Sequence, residues 1–254
     1  MSSWWVDPAL APEAASALAS LDTVFALDGE LIARSPLSRV LRITLDGRRY
    51  YVKRYLGDRA NPLRNWFGLR SLVLKPPVQK EWENLRAFRA WGIPTAHLAA
   101  YGQERRAGRF VRGALITEEL PETVDMAQMA REGDPRLKDG PWVAAISRQL
   151  AQATRAMHAA GFAHNDLKWR NLLVDRSEPP RLYLIDCPAG SFWWGPFLDY
   201  RKIKDLACLD KVAKYQLSRP QRLRFYLDYV QRRRLTTDDR KVVARVLKFF
   251  AGRE

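Results

Sequence analysis

The sequence is poor in the residues that build disulfide frameworks and metal centres: 254 residues include two cysteines, Cys187 and Cys208, and three histidines, His97, His158 and His164. Two cysteines make no disulfide framework, and their spacing from the histidines matches no zinc-ligand pattern, so a structural zinc site is excluded. No run reaches the roughly 18 apolar residues that a membrane-spanning helix requires. The N-terminus, with Trp4, Trp5, Asp7 and Pro8, lacks a basic stretch followed by an apolar one. A soluble, unexported protein is expected. Internal repeats and low-complexity linkers are also missing. Acid is scarce beside base: 43 Lys and Arg stand against 28 Asp and Glu, a net charge of +15. Partners carrying phosphate or carboxylate are therefore favoured over cationic ones.

What is present suffices for a large core, since 47% of the residues are hydrophobic. Charge is unevenly spread. Residues 1–28 hold four acids and no base, 48–112 hold 15 bases and four acids, 113–198 nine and 11, and 199–254 16 and seven. Val40, Leu41, Ile43 and Leu45, the Asp46-Gly47 pair, then Tyr50, Tyr51, Val52 and Tyr55 predict a β-hairpin with Lys53 on its second strand. Trp82, Leu85, Phe88 and Ala90 predict a helix over 79–91 that Gly92 ends and Pro94 keeps from extending. Residues 109–120 read as strands around a turn at Gly113. Val143, Ile146, Leu150, Ala153 and Met157 predict a long helix over 142–160 closed by Gly161. Two short strands follow, Leu172 to Val174 and Leu182 to Ile185, and from about residue 200 the pattern is helical, with Pro220 as a break. The expected fold class is α+β, with a β-rich part followed by a helical one and a boundary near Pro121.

The most informative stretch runs from His164 to Asn171 (His-Asn-Asp-Leu-Lys-Trp-Arg-Asn), followed by a strand and, after the next strand, Asp186. Asp166 can accept a hydroxyl proton. The amide of Asn171 lies five residues on, and the Asp186 carboxylate comes after the second strand. That order suits phosphoryl transfer with bound Mg²⁺. It resembles the H-x-D-L-x-x-x-N catalytic loop of the protein-kinase-like fold. By that resemblance Lys53 is the lysine on the nucleotide phosphates and Glu81 its ion-pair partner, with Glu83 as the fallback. Backbone groups near Glu118 and Leu120 would meet the adenine, and Asp205 would brace the catalytic loop. Lys168 reads as a contact to the transferred phosphate, and His164 as a packed structural histidine. Ser35-Pro36-Leu37-Ser38 stands where a glycine-rich loop is expected, and Asp186-Cys187-Pro188 where that fold has Asp-Phe-Gly. Only 19 positions separate Asp186 from Asp205, too few to display a peptide, so a small-molecule or glycan acceptor gains weight over a protein.

Further motifs narrow the resemblance. Tyr51-Val52-Lys53, Lys80-Glu81-Trp82, Trp91-Gly92-Ile93-Pro94-Thr95, Ala100-Tyr101-Gly102, Thr117-Glu118-Glu119-Leu120 with Thr123-Val124-Asp125, Met157-His158-Ala159-Ala160-Gly161 and Lys204-Asp205-Leu206-Ala207 stand in order around the loop. Over roughly residues 45–230 the chain resembles the lipopolysaccharide core kinases of the Kdo/WaaP type. The resemblance implies a bilobal kinase-like fold: an extension over 1–28, an N-lobe nucleotide clamp over 29–120 and a C-lobe over 121–254. It also implies ATP and Mg²⁺ as cofactors, Asp166 and Lys168 as catalytic residues, Asn171 and Asp186 as metal ligands, and a heptose or Kdo hydroxyl of the inner core as acceptor. The place of action would be the cytoplasm, peripheral on the cytoplasmic face of the inner membrane.

Alternatives differ in class. One keeps the fold with another small molecule or a protein as acceptor, and another is an inactive nucleotide-binding scaffold. No groove-reading motif supports nucleic-acid binding, and none is expected. An anionic membrane surface is an expected partner, met by residues 59–75 (Arg59, Arg64, Arg70, Lys75, Trp66, Phe67) and 219–234 (Arg219, Arg222, Arg224, Arg232, Arg233, Arg234). Phe192, Trp193, Trp194 and Phe197 form either a local core or an aromatic surface for sugar rings or a lipid interface.

Overall fold

A computed structural model describes residues 2–57 and 75–252. The expected basic segment 59–75 lies, apart from Lys75, outside the described residues. The chain divides into two compact units: residues 1–83 with 96–120, and 84–95 with 121–254.

The first unit is built on a six-stranded antiparallel sheet. Its strands are β1 (Ser2–Val6), β2 (Glu30–Arg34), β3 (Ser38–Leu45), β4 (Arg48–Leu56), β5 (Leu98–Arg106) and β6 (Arg109–Glu118), in the order β1-β5-β6-β4-β3-β2. Asp46 and Gly47 both take positive φ, 49° and 70°, the turn that closes the β3–β4 hairpin. Helices α1 (Pro12–Ala17) and α2 (Leu21–Ala26) bring Ala14, Leu18, Leu21 and Val24 onto Tyr50, Val52, Ala100 and Ile116, which form the core of this unit. Because strand side chains alternate, Lys53 and Tyr55 point to the other face, where Glu81 of α3 (Pro77–Ala90) lies.

The turn expected at Gly113 is not there. Strand β6 runs straight through that residue, and the reversal occurs at Ala107 and Gly108, which take φ of 47° and 77°. Gly113 answers a different need: a Cβ there would lie 2.9 Å from the Gly102 carbonyl oxygen and 2.9 Å from a Val78 methyl. It marks close packing inside a strand. Residues 1–28 are likewise woven into the unit, since β1 pairs along β5 from Ser2↔Glu104 to Val6↔Ala100.

The second unit centres on α5 (Gly140–Ala159), whose buried face carries Val143, Ile146, Leu150, Ala153 and Met157, with Gly161 at φ 74° behind it. Before it come β7 (Val124–Asp125) and α4 (Met126–Glu132). After it come β8 (Phe162–Ala163), β9 (Leu172–Val174), β10 (Leu182–Leu184), β11 (Ser191–Phe192), α6 (Gly195–Gln216), α7 (Arg219–Val230) and α8 (Thr237–Lys248). Pro220 lies at the start of α7, where a missing N–H costs nothing, behind a Ser218–Gln221 capping box. Among the described residues no helix is long and apolar enough to cross a membrane.

Candidate active site

In the first unit Lys53 Nζ donates to both Glu81 carboxylate oxygens, at 2.9 and 3.1 Å. Glu81 is buried, and it also accepts from the Tyr55 hydroxyl. A buried carboxylate with two partners is fixed in place, so the lysine ammonium is held at one point on the sheet face. The Glu118 amide donates to the His97 carbonyl at 2.9 Å, so any adenine contact at that residue must use its carbonyl oxygen. At the β2–β3 turn the Ser35 hydroxyl accepts from the amides of Leu37 and Ser38, a serine-built turn in place of glycines.

In the second unit the loop between β8 and β9 is braced from beneath. Asp205 of α6, fully buried, accepts from the backbone amides of His164 and Asn165 at 2.7 and 2.8 Å. Trp169 donates its indole N–H to the Leu209 carbonyl, tying the loop to the same helix a turn later. Asn165 takes φ 64°, a left-handed conformation for which asparagine is well suited, and its side chain donates to the Ala189 carbonyl.

Asp166 is the best-connected group of this loop. Lys168 Nζ lies 2.5 Å from one carboxylate oxygen and Arg170 Nη2 3.1 Å from the other. Partial burial pushes the Asp166 carboxyl up, but the Lys168 hydrogen bond and charge, joined by Arg170, outweigh it and hold the carboxyl below its usual range. Arg170 was missed in the sequence; its place four residues after Asp166 was the available clue. The Asn171 amide nitrogen donates to the Asp166 carbonyl at 2.9 Å, which leaves the amide oxygen as the donor for a cation. The Ile185 amide donates to the Asn171 carbonyl at 3.0 Å, so Asn171, just before β9, lies opposite the residue that precedes Asp186. Asp186 takes φ 58°, a left-handed conformation in a non-glycine residue of the kind that collects at functional sites.

These donors fit a hard cation. One amide oxygen and one carboxylate suit Mg²⁺, which keeps waters and shares its shell with substrate phosphates. Among the described residues no cluster of three His, Cys, Asp or Glu could make an all-protein cage. His164 is wholly buried, and neither ring nitrogen has a hydrogen-bond partner among the described residues. Burial depresses its pKa, against the opposing charges of Asp205, Asp166 and Asp186, which favours the neutral ring that packs against Phe88.

The family profile described as lipopolysaccharide kinase (Kdo/WaaP) matches residues 22–229. The chain belongs to that family. It is 30% identical over 227 residues to the lipopolysaccharide core heptose(I) kinase WaaP of Pseudomonas aeruginosa, covering 83% of this chain and 80% of that protein. It is 26% identical over 146 residues to WaaP of Escherichia coli, covering 57% and 54%. A solved structure of WaaP in complex with acyl carrier protein matches with a TM-score of 0.67 and 27% identity over 90% of each chain. The mixed fold, an antiparallel sheet with a helix followed by a helical region, is that of a WaaP kinase, and the family is one of phosphotransferases.

Proposed function

We propose that this protein transfers the γ-phosphoryl group of ATP to a hydroxyl of a heptose or Kdo sugar in the lipopolysaccharide inner core. The observation that carries this reading is the setting of Asp166: a carboxylate held ionised by Lys168 and Arg170, with the Asn171 amide bonded to its carbonyl and Asp186 next in sequence to Ile185, which bonds to Asn171. Asp166 orients the sugar hydroxyl and takes its proton as the new O–P bond forms and the bond to the leaving ADP breaks. A carboxyl below its usual range is a weak base. That suits a loose phosphoryl transition state, in which positioning and charge neutralisation supply most of the rate.

Lys168 neutralises charge on the transferred group. Lys53, fixed by Glu81, holds the α and β phosphates, while the Glu118 carbonyl and the Leu120 backbone meet the adenine. On this reading residues 29–120 serve as the nucleotide clamp and 121–254 carry the loop and the acceptor side. Asn171 and Asp186 hold Mg²⁺, which when bound neutralises phosphate charge. The names of the relatives favour heptose. Since the acceptor core is lipid-linked, the place of action is the cytoplasmic face of the inner membrane.

The solved relative is in complex with acyl carrier protein. Helices α5 to α8 enclose a cavity of about 500 Å³ lined by apolar groups such as Ile146, Leu150, Leu209, Val243 and Leu247, with Arg219 and Arg222 among its lining. We propose that it receives the acyl group of an acyl carrier protein. Leu209→Trp, which fills the cavity, should weaken co-purification with acylated carrier and leave binding of the unacylated form unchanged.

Incubation with ATP, Mg²⁺ and separately purified core oligosaccharides tests the reaction. The mass of a heptose- or Kdo-bearing acceptor should rise by one phosphoryl group. A protein that binds ATP but modifies no sugar would overturn the reading.

A further inference from the structure

The stretch after β11 resolves the two readings of its aromatics. Trp193 is half-buried beneath Arg201, whose guanidinium lies 4.5 Å from its ring centroid. The others are outside: Phe192 is 60% exposed, Trp194 75%, Phe197 65% and Tyr200 46%. Phe192 packs edge-on against Phe162 and Trp91, whereas Trp194, Phe197 and Tyr200 form no local core. Trp194 caps α6 and Phe197 and Tyr200 follow at three-residue steps, so the three share one side of its first two turns. The ridge extends through packed rings, with Tyr200 5.6 Å from Phe249 and Phe249 5.0 Å from Phe250. Solvated aromatics in such number are costly to keep, and contiguous apolar patches of this kind mark interaction surfaces.

Cations frame the ridge. Arg201 lies 5.8 Å from the Tyr200 ring, Lys211 5.4 Å from Phe250, and Arg245 and Lys248 line a groove together with Tyr200 and Phe249. One acid, Asp199, interrupts it. Exposed Trp, Phe and Tyr with Arg and Lys beside them are what a bilayer interface selects: amphipathic rings at headgroup depth and cations on anionic lipid. By contrast, the expected patch at 219–234 is partly used up internally, since Arg222 pairs with Asp210, Arg224 with Asp228 and Arg232 with Asp239.

We infer that Trp194, Phe197 and Tyr200, framed by Arg245 and Lys248, insert into the surface of an anionic bilayer. The surface is argued apart from the kinase reading and stands or falls without it.

Flotation with vesicles of phosphatidylglycerol and phosphatidylethanolamine, and with neutral phosphatidylcholine vesicles, tests the inference on the full chain. The wild type should float with the anionic vesicles. Trp194→Ala with Phe197→Ala should lower that partition about tenfold or more, and Arg245→Glu with Lys248→Glu should also lower it. Because the two aromatics are exposed, nucleotide binding and thermal stability should be kept. Lipids brominated near the headgroup should quench wild-type tryptophan fluorescence more than that of Trp194→Phe, a readout that survives if the double variant folds poorly. Wild-type partition in the double variant, equal quenching in Trp194→Phe, or a ridge that instead holds two copies together with no vesicle binding would each overturn it.

Discussion

At the residue scale the proposed chemistry turns on how Asp166 is kept charged. Lys168 is the larger of its two cationic partners, so removing it should let the carboxyl titrate higher. In Lys168→Met the acid limb of the kcat/KM profile should therefore move to higher pH, with kcat falling about 10–100-fold from lost charge neutralisation. An unmoved acid limb would place Lys168 outside the site. His164 gives the complementary case. Its folded pKa lies below its ordinary value of 6.5, so the unfolded chain takes up a proton that the folded chain refuses, and stability is lost as pH falls below about 6.5. His164→Phe should flatten the dependence of Tm on pH between 5 and 7 relative to wild type. The order Asp166, Asn171, Asp186 was legible because loop and strand spacing are local. The Tyr55 hydroxyl on Glu81 was not, because a contact across 26 residues leaves no periodic trace.

At the scale of elements, period and punctuation did most of the work. The β3–β4 hairpin, α3 and α5 lie where alternation, helical spacing and the glycines at 47, 92 and 161 put them. Gly113 misled because sequence does not separate a glycine that turns from one that lets two strands and Val78 approach. Gly113→Ala should cost about 1–3 kcal/mol through overpacking, measured by denaturant unfolding. Strand β1 was invisible for another reason: Ser2–Val6 does not alternate, and its partner β5 is some hundred residues away. Asp205 links elements, since one carboxylate satisfies two buried amides of the loop that carries Asp166. Asp205→Ala should destabilise the protein by about 2–4 kcal/mol, because both donors lose their acceptor. Asp205→Asn should retain part of that.

At the scale of the whole molecule, net charge of +15 favours anionic partners but does not say which surface would meet them. Burial and pairing supply the rest. Three arginines of 219–234 are committed to internal carboxylates, while the ridge at 194–200 combines exposed rings with cations. Composition could not single out the ridge, because residues 194–200 hold no base and the cations beside them come from positions 201, 245 and 248. The proposed acceptor and the proposed membrane contact of the ridge are compatible with one another. The most direct test of its central claim compares wild type with Asp166→Asn in transfer from γ-labelled ATP to purified core oligosaccharide, with nucleotide binding measured on the same samples. The account predicts label on the sugar with wild type, and with Asp166→Asn transfer lowered by about a thousandfold or more while nucleotide binding stays near wild type. Transfer by Asp166→Asn at the wild-type rate would contradict it.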